Sequence, residues 1–241
     1  MKKILTVILL ISPLLNLAQQ ETIHHYQKID HKAFHFGYTL GINTMDFGIY
    51  PSKTAVSKSH RDTFPELNTL SPGVDISIVT NFRLGEYLDF RILPGISLGQ
   101  RNLTYYKNVS SEPDSAKAFH EMNLGSTFIN LPFNLRYEAQ RERNFRPYLI
   151  GGVNFRWDMA RNKDFNSDEG IYIKLEPFDV YVEGGFGIDF YLPYFKLSTE
   201  IKFSVGMMNV LSPDKHETYP GYVTSIDKLK SRMVSLSFHF E

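Results

Sequence analysis

Apolar and polar residues alternate along most of the chain from residue 34 onward, and this period of two constrains the fold more than any other feature. Such a period places successive side chains on opposite faces of a β-strand. Phe34, Phe36 and Tyr38 share one face of the first segment, and polar or small residues occupy the other. The pattern recurs in eight segments, at about 34–43, 73–83, 87–99, 123–138, 146–157, 178–190, 195–207 and 232–240. The sequence therefore predicts an all-β chain.

The connections between these segments alternate in length. Three are short, at about 84–86, 139–145 and 191–194, and four are long, at about 44–72, 100–122, 158–177 and 208–231. Tight turns on one rim and long loops on the other are typical of an eight-stranded antiparallel up-and-down transmembrane β-barrel of the outer membrane. A soluble β-sandwich has a similar number of strands but no reason for this alternation.

The first 18 residues are typical of an export signal. Lys2 and Lys3 precede an apolar run from Ile4 to Leu17, and the small residue Ala18 follows. The run is too short to cross a bilayer as a helix. We therefore expect a signal peptide at 1–18, a flexible periplasmic tail at 19–33 and an outer-membrane β-barrel at 34–241 of a Gram-negative bacterium.

The polar face of the predicted barrel carries six acidic and six basic residues. An eight-stranded barrel has an interior just wide enough for side chains to fill. We expect these residues to point inward and neutralise one another rather than form an ion path. They are Asp75, Asp89, Arg91, Arg136, Arg146, Arg156, Asp179, Glu183, Asp189, Lys196, Glu200 and Lys202.

Aromatic residues gather at the strand ends beside the short turns, where a membrane barrel carries a girdle. The predicted girdle is Phe82, Tyr87, Tyr137, Phe190, Tyr191, Tyr194, Phe195 and Phe240. A second girdle at the opposite rim could include Tyr105, Tyr106, Trp157 and Phe178. Pro94 and Pro132 fall within predicted strands, where we expect either a β-bulge or a strand that starts later.

The sequence offers little sign of catalysis or cofactor binding. The chain has no Cys, which excludes disulfides and thiolate metal sites, and its 26 basic and 26 acidic residues give no overall attraction to nucleic acid. His24, His25 and His31 lie in the predicted flexible tail, so we expect no metal site there. Loop histidines beside Ser and acidic residues could serve an acyl-transfer enzyme, but their spacing is not distinctive: His60, His120 and His216. We predict no catalytic residue, no cofactor and no metal.

Five stretches carry a resemblance to known proteins. INLPFNLRYE (129–138) and RPYLIGGVNFRWD (146–158) resemble the central hairpin of the Bacteroidetes outer-membrane barrels. GGFGIDFYLPYFKLSTEIKFSVGMMNVL (184–211) and SIDKLKSRMVSLSFHFE (225–241) resemble the PorT family, also called SprT, of the type IX secretion system. The early strand FHFGYTLGIN (34–43) agrees with that resemblance.

The resemblance implies an outer-membrane component needed for export of proteins with C-terminal sorting domains, and of gliding adhesins where these are present. Its partners would be outer-membrane lipid and other type IX secretion proteins, without nucleic acid or a small-molecule substrate. The filled interior favours an assembly or accessory factor over a pore. Two alternatives stay open: a structural or adhesive barrel acting through its long extracellular loops, and an enzyme that modifies lipid A.

Overall fold

A computed structural model describes residues 32–52, 63–66, 71–108, 116–160, 170–214 and 221–241 of the chain. The predicted signal peptide and all but the last two residues of the predicted tail lie outside this part. The elements are β1 (Phe34–Pro51), β2 (Thr63–Glu66), β3 (Ser71–Arg83), β4 (Leu88–Ile92), β5 (Gly95–Asn108), β6 (Ala116–Glu138), β7 (Phe145–Asp158), β8 (Phe178–Tyr191), β9 (Lys196–Gly206), α1 (Gly221–Thr224) and β10 (Ile226–Phe240). Among the described residues, no helix is long and apolar enough to cross a membrane.

The sheet closes on itself. Going around the ring, β1 pairs with β10, and β9, β8, β7 and β6 follow in turn. β4 and β5 together form the next wall strand, since both pair with β6 on one side and β3 on the other. β3 then pairs with β1, which completes a ring of eight antiparallel strands. The short strand β2 is not one of these eight strands. It pairs with the part of β5 that continues beyond the end of β3.

The two faces of the wall show what surrounds the barrel. Large apolar side chains point away from the ring and are strongly exposed, as in Phe36 (60%), Ile78 (59%) and Leu149 (60%). Arg91 and Arg136, by contrast, are fully buried inside it. A barrel in water would have the reverse arrangement, and only a lipid environment covers such an outer face. The predicted eight-stranded antiparallel membrane barrel is therefore confirmed.

The two rims differ as the connections predict. The turns after β3, β6 and β8 are short, and we call this rim the short-turn end; the opposite rim is the long-loop end. Four strands extend further into the predicted loops than expected: β1, β5, β6 and β10. The apolar alternation stops where outward residues become polar, as at Asp46 in β1, but the hydrogen-bonded ladder continues to Pro51.

The bulges expected at the two prolines are absent. The register of β3 against the β4–β5 strand is the same before Pro94, at Thr80↔Ile92, as after it, at Ser77↔Gly95. Pro132 lies inside β6, whose pairing with β7 runs through it without a shift. Both prolines still use their carbonyl groups: Ile78 donates to Pro94 O at 2.9 Å, and Leu93 donates to Pro132 O at 3.4 Å. Each proline thus lacks only its own N–H donor. At Pro94 the alternative expectation of a later strand start holds, since β5 begins at Gly95, whereas β6 runs through Pro132.

Candidate functional site

The interior of the barrel holds all twelve charged residues that the alternation places on its inner face. All are buried except Lys202, whose side chain is 11% exposed. They do not form one network. Five lie in a cluster at the short-turn end, four lie in a group at mid-height, and three have no ion-pair partner among the described residues.

The cluster at the short-turn end is organised around the last residue of the chain. The Glu241 carboxylate is fully buried and lies 2.5 Å from Arg91, 2.8 Å from Lys196 and 2.5 Å from His35. These partners come from β4, β9 and β1, so one side chain connects strands on both sides of the closure between β1 and β10. Glu241 can do this because the alternation that points Phe240 outward turns the next residue inward.

A second centre of the same cluster is Arg136. Its guanidinium contacts the Asp189 carboxylate, lies 3.1 Å from Glu138 and stacks 3.6 Å from the ring centre of Tyr148. Arg146 approaches the same Glu138 at 2.5 Å. We call the whole group the ionic cluster: His35, Arg91, Arg136, Glu138, Arg146, Asp189, Lys196 and Glu241.

The mid-height group contains two carboxylates. Glu183 accepts hydrogen bonds from Arg156 (2.9 Å), Asn154 (2.8 Å) and Ser204 (3.0 Å) and lies 3.3 Å from Lys202. Such dense donation is what a buried carboxylate needs to remain charged.

The second mid-height carboxylate, Glu200, accepts a hydrogen bond from the Tyr148 hydroxyl (3.0 Å) and lies 3.4 Å from His239. His239 in turn lies 2.6 Å from the Thr39 hydroxyl. A hydroxyl, an imidazole and a carboxylate thus lie next to one another in space, but they lie deep in the barrel.

Three predicted interior acids use neutral donors instead of cations. Asp75 accepts from Asn43 at 2.8 Å, Asp89 accepts from Asn81 at 2.6 Å, and Asp179 accepts from the backbone of Met208 at 3.0 Å. The expectation that all twelve charges neutralise one another therefore does not describe these three.

Sequence reasoning missed other interior charges. Arg101 and Asp158 form a buried pair at 2.5 Å, above the mid-height group. Glu138 and Glu241 lie in the ionic cluster. Each of these four residues lies one or two positions beyond a predicted inward residue or a predicted strand end. Continuing the apolar–polar alternation past those points would have predicted that they face inward.

The predicted girdle is largely on the outer face at the short-turn end, with one error. Phe82, Tyr137 and Phe190 are exposed to 37%, 61% and 39%, and Tyr194 in the turn is 88% exposed. Tyr191 is buried, and its ring packs 3.6 Å below the Arg141 guanidinium. Phe190 and Tyr191 are neighbours on one strand and cannot both face lipid. The other predicted members, Tyr87, Phe195 and Phe240, also lie on the outer face.

The second girdle was predicted partly wrongly as well. Trp157 is 51% exposed and packs against Phe178 at 4.6 Å on the outer surface. Tyr105 is completely buried inside the long-loop end. The side chain of Tyr106 lies outside the described residues.

The long-loop end is filled by apolar side chains, an arrangement that the alternation did not predict. Inward residues of β1, β5, β6 and β10 meet residues of the connections that follow β7 and β9. We call this group the apolar cap: Phe47, Leu103, Tyr105, Met122, Leu124, Ile171, Ile173, Leu175, Val210, Leu211, Val223, Ile226 and Leu229. Two connections hydrogen-bond to each other and to the wall, with Glu176 donating to Val210 O (2.8 Å) and Val210 donating to Leu229 O (2.9 Å).

A small polar cavity lies between the two closed ends. Its volume is about 30 Å³, and Thr39, Asp75, Arg156, Lys202 and His239 are among its lining residues. That volume is enough for water but not for an organic substrate. The three neighbouring side chains of Thr39, His239 and Glu200 therefore have no room for a substrate beside them.

The rim residues considered for catalysis give no assembled site in the described residues. His60 and His216 lie outside the described part of the chain. His120 lies 2.6 Å from the carbonyl oxygen of Gly170 and packs against the Tyr172 ring, so it helps to fasten a loop to β6. His24, His25 and His31 also lie outside the described residues.

The comparison with protein families agrees with this architecture. A family model described as "Outer membrane protein beta-barrel domain" matches residues 17–212. No curated protein matches the chain. Similar solved structures include Neisserial surface protein A (9% identity, TM-score 0.41, covering 86% of this chain and 98% of that one). OprG from Pseudomonas aeruginosa gives 12% identity and a TM-score of 0.44, covering 87% and 94%. The outer membrane enzyme PagL is 9% identical with a TM-score of 0.36, and the match covers 83% of this chain and 97% of that one.

Proposed function

We propose that this chain, which belongs to the outer membrane protein β-barrel domain family and lies in the outer membrane of a Gram-negative bacterium, is an accessory component of the type IX protein secretion system. Its role would be to assemble or stabilise the secretion machinery rather than to conduct cargo. The resemblance of residues 184–211 and 225–241 to the PorT family supports the choice of system. Export of proteins with C-terminal sorting domains would then depend on this chain.

The observation that carries the accessory role is that the interior is closed twice. The ionic cluster fills the short-turn end, which is periplasmic in barrels of this kind. The apolar cap fills the long-loop end, which is extracellular. The cavity between them has a volume of about 30 Å³. A folded or extended polypeptide needs a far wider passage, so this barrel would act through its surfaces and partners.

The partners of such an accessory barrel would be outer-membrane lipid and other proteins of the secretion system. We expect neither nucleic acid nor a small-molecule substrate among them. We also propose that the chain is not an enzyme, since the cavity that Thr39 and His239 line has a volume of about 30 Å³, too small for an organic substrate.

A clean deletion strain tests this function. Culture supernatant and periplasm of the deletion and wild-type strains would be compared by quantitative proteomics, with a plasmid copy restoring the wild-type chain. We expect cargo with C-terminal sorting domains to leave the supernatant and accumulate in the periplasm. Normal secretion, with the tagged chain present in the outer membrane, would overturn the proposal.

Planar-bilayer recording separates an accessory role from conduction. The purified wild-type barrel should give no large, stable conductance steps, because both ends are filled. Large steps from the wild-type protein would contradict the accessory role even if the deletion blocks secretion.

One feature favours a second candidate, the adhesive barrel. β6 contains 23 residues, roughly twice the 9–11 that a strand needs to cross the membrane. Together β5 and β6 therefore project a hairpin beyond the long-loop end. A deletion strain that secretes normally but loses binding to a surface or to other cells would favour this candidate.

A further inference from the structure

Three cations lie in a row on the outer face of β10, at positions that the interior and the secretion role do not use. They are Lys228, Lys230 and Arg232, and we call them the basic stripe. Because they are two residues apart, they point to the same side of the strand. Lys228 and Arg232 are exposed and Lys230 is partly exposed. The stripe is about 13 Å long at the usual rise per residue.

The stripe begins where the apolar outer surface of β10 ends. Towards the short-turn end, the outward residues of this strand are Val234 and Phe238, exposed to 43% and 38%, with Leu236 and Phe240. Val205 of β9, which pairs with Arg232, is 45% exposed and also faces lipid. The three cations therefore lie at the upper edge of the apolar band, at the level of the lipid headgroups of the outer leaflet. Long side chains such as Lys and Arg place their charge in that zone while their stems contact the apolar surface.

The neighbouring positions of β1 carry one acidic residue, opposite Arg232, and leave the two lysines without an acidic residue opposite them. Gly48 lies opposite Lys230, and a Cβ there would come within 2.9 Å of the Arg232 guanidinium, so Arg232 lies over this glycine. Asp46 lies opposite Arg232 and attracts its positive charge, and the Asp46 carboxylate also accepts a hydrogen bond from the Phe47 backbone at 2.8 Å. The stripe makes no ion-pair contact with another described side chain, and cations stay in excess over the two nearby carboxylates, Asp46 and Asp227.

We propose that the basic stripe binds the phosphate group of a phosphorylated glycolipid in the outer leaflet. The occupant follows from depth and charge together. At this height a lipid-facing surface meets headgroups of the extracellular leaflet, and a row of three cations beside two carboxylates keeps a net positive charge that favours an anionic headgroup. Arg232 and the two lysines can contact phosphate oxygens from one side, while Val205 and Val234 contact the acyl chains below. This site is independent of the proposed role in secretion.

Native mass spectrometry of the purified, folded barrel in neutral detergent tests the proposal, with monophosphoryl lipid A as the probe. The wild-type barrel should retain the lipid at moderate salt and lose it as salt is raised, because these charges are solvent-accessible. The triple variant K228Q/K230Q/R232Q should bind at least tenfold more weakly, since each cation near an anionic surface contributes several-fold to affinity. The matched control is K32Q/R83Q/R143Q, which removes three cations from the short-turn end and should bind like the wild type.

Further arms decide what is recognised. The variant K228R/K230R keeps the positive charges and should bind the lipid like the wild type. Heat-modifiable gel migration checks that each variant is folded, so that a loss of binding is not a folding defect. The same lipid with its phosphate removed should not be retained. Equal binding of phosphatidylglycerol would overturn the choice of a glycolipid, and unchanged binding by the folded triple variant would overturn the site.

Discussion

The short-turn end of the barrel interior is closed by charges, and the long-loop end by apolar side chains. In the ionic cluster each carboxylate contacts two cations that lie on different strands, so removing one cation leaves the buried carboxylates that it contacts with half of their cationic partners. In the apolar cap each side chain contributes separately through burial, and the members come from loops as well as strands. One barrel thus uses two kinds of closure. A brittle closure loses much stability when one charged group is removed, and a graded closure loses stability in proportion to the apolar area that is removed.

The strongest test of the ionic closure is Arg136→Met. Arg136 is fully buried between Asp189 and Glu138, so its loss leaves two buried carboxylates with fewer cations. We expect the free energy of unfolding to fall by about 3–5 kcal/mol, the usual cost of breaking a buried ion pair from one side. Equilibrium unfolding in lipid vesicles, followed by heat-modifiable gel migration, measures it. Arg83→Met, a partly exposed arginine at the same end, is the control; a loss below 1 kcal/mol for Arg136→Met would show that the cluster is not brittle.

The graded closure is tested by Leu229→Ala. Leu229 is completely buried in the apolar cap, and its replacement should cost about 3 kcal/mol, within the range for deleting buried leucine atoms. The same change at the lipid-facing Leu40, which is 47% exposed, serves as the control and should cost less. If Leu229→Ala is harmless, the cap does not contribute to closure, and the comparison between the two ends fails.

A third change asks whether charges are tolerated only inside the wall. Lys202 points inward and lies 3.3 Å from Glu183, whereas its neighbour Ile201 points outward. Ile201→Arg should cost about 2–4 kcal/mol, as arginine does on the lipid face near mid-depth. Ile201→Val is the control, since it keeps an apolar side chain there. Unaltered unfolding of Ile201→Arg would mean that residue 201 does not face the bilayer core.

The two ends also differ in how far they could be predicted from the sequence. Strand alternation placed Arg91, Asp189 and Lys196 on the inner face, because a period of two is a local property of the chain. It did not predict which cation would meet which acid, since the partners in the ionic cluster come from strands far apart in sequence. The prediction for Tyr191 is wrong because β8 extends to this residue, so its side chain points inward, opposite to that of Phe190.

The apolar cap could not be predicted from the local sequence pattern, for a different reason. Ile171, Ile173 and Leu175 do alternate, but they lie in a stretch of a long connection that forms no named strand. Their burial depends on docking against Leu211 and Leu229, and such a contact across loops has no periodic signature. The effect of the prolines also depends on contacts that a local pattern does not show. The carbonyl groups of Pro94 and Pro132 accept hydrogen bonds from neighbouring strands, and the register is unchanged at both.

The smallest expected effect concerns an ion pair at the edge of the apolar cap. Lys174 Nζ lies 3.5 Å from Asp214, but the Asp214 side chain is 63% exposed, so water screens the attraction. Lys174→Ala should therefore change the free energy of unfolding by less than about 1 kcal/mol, as exposed pairs usually do. The same unfolding assay, repeated at high salt, measures it, with Asp214→Ala as the matched partner variant. A loss comparable to that of Arg136→Met would mean that the long-loop end also depends on specific charges. The distinction between the two closures would then be one of composition and not of mechanism.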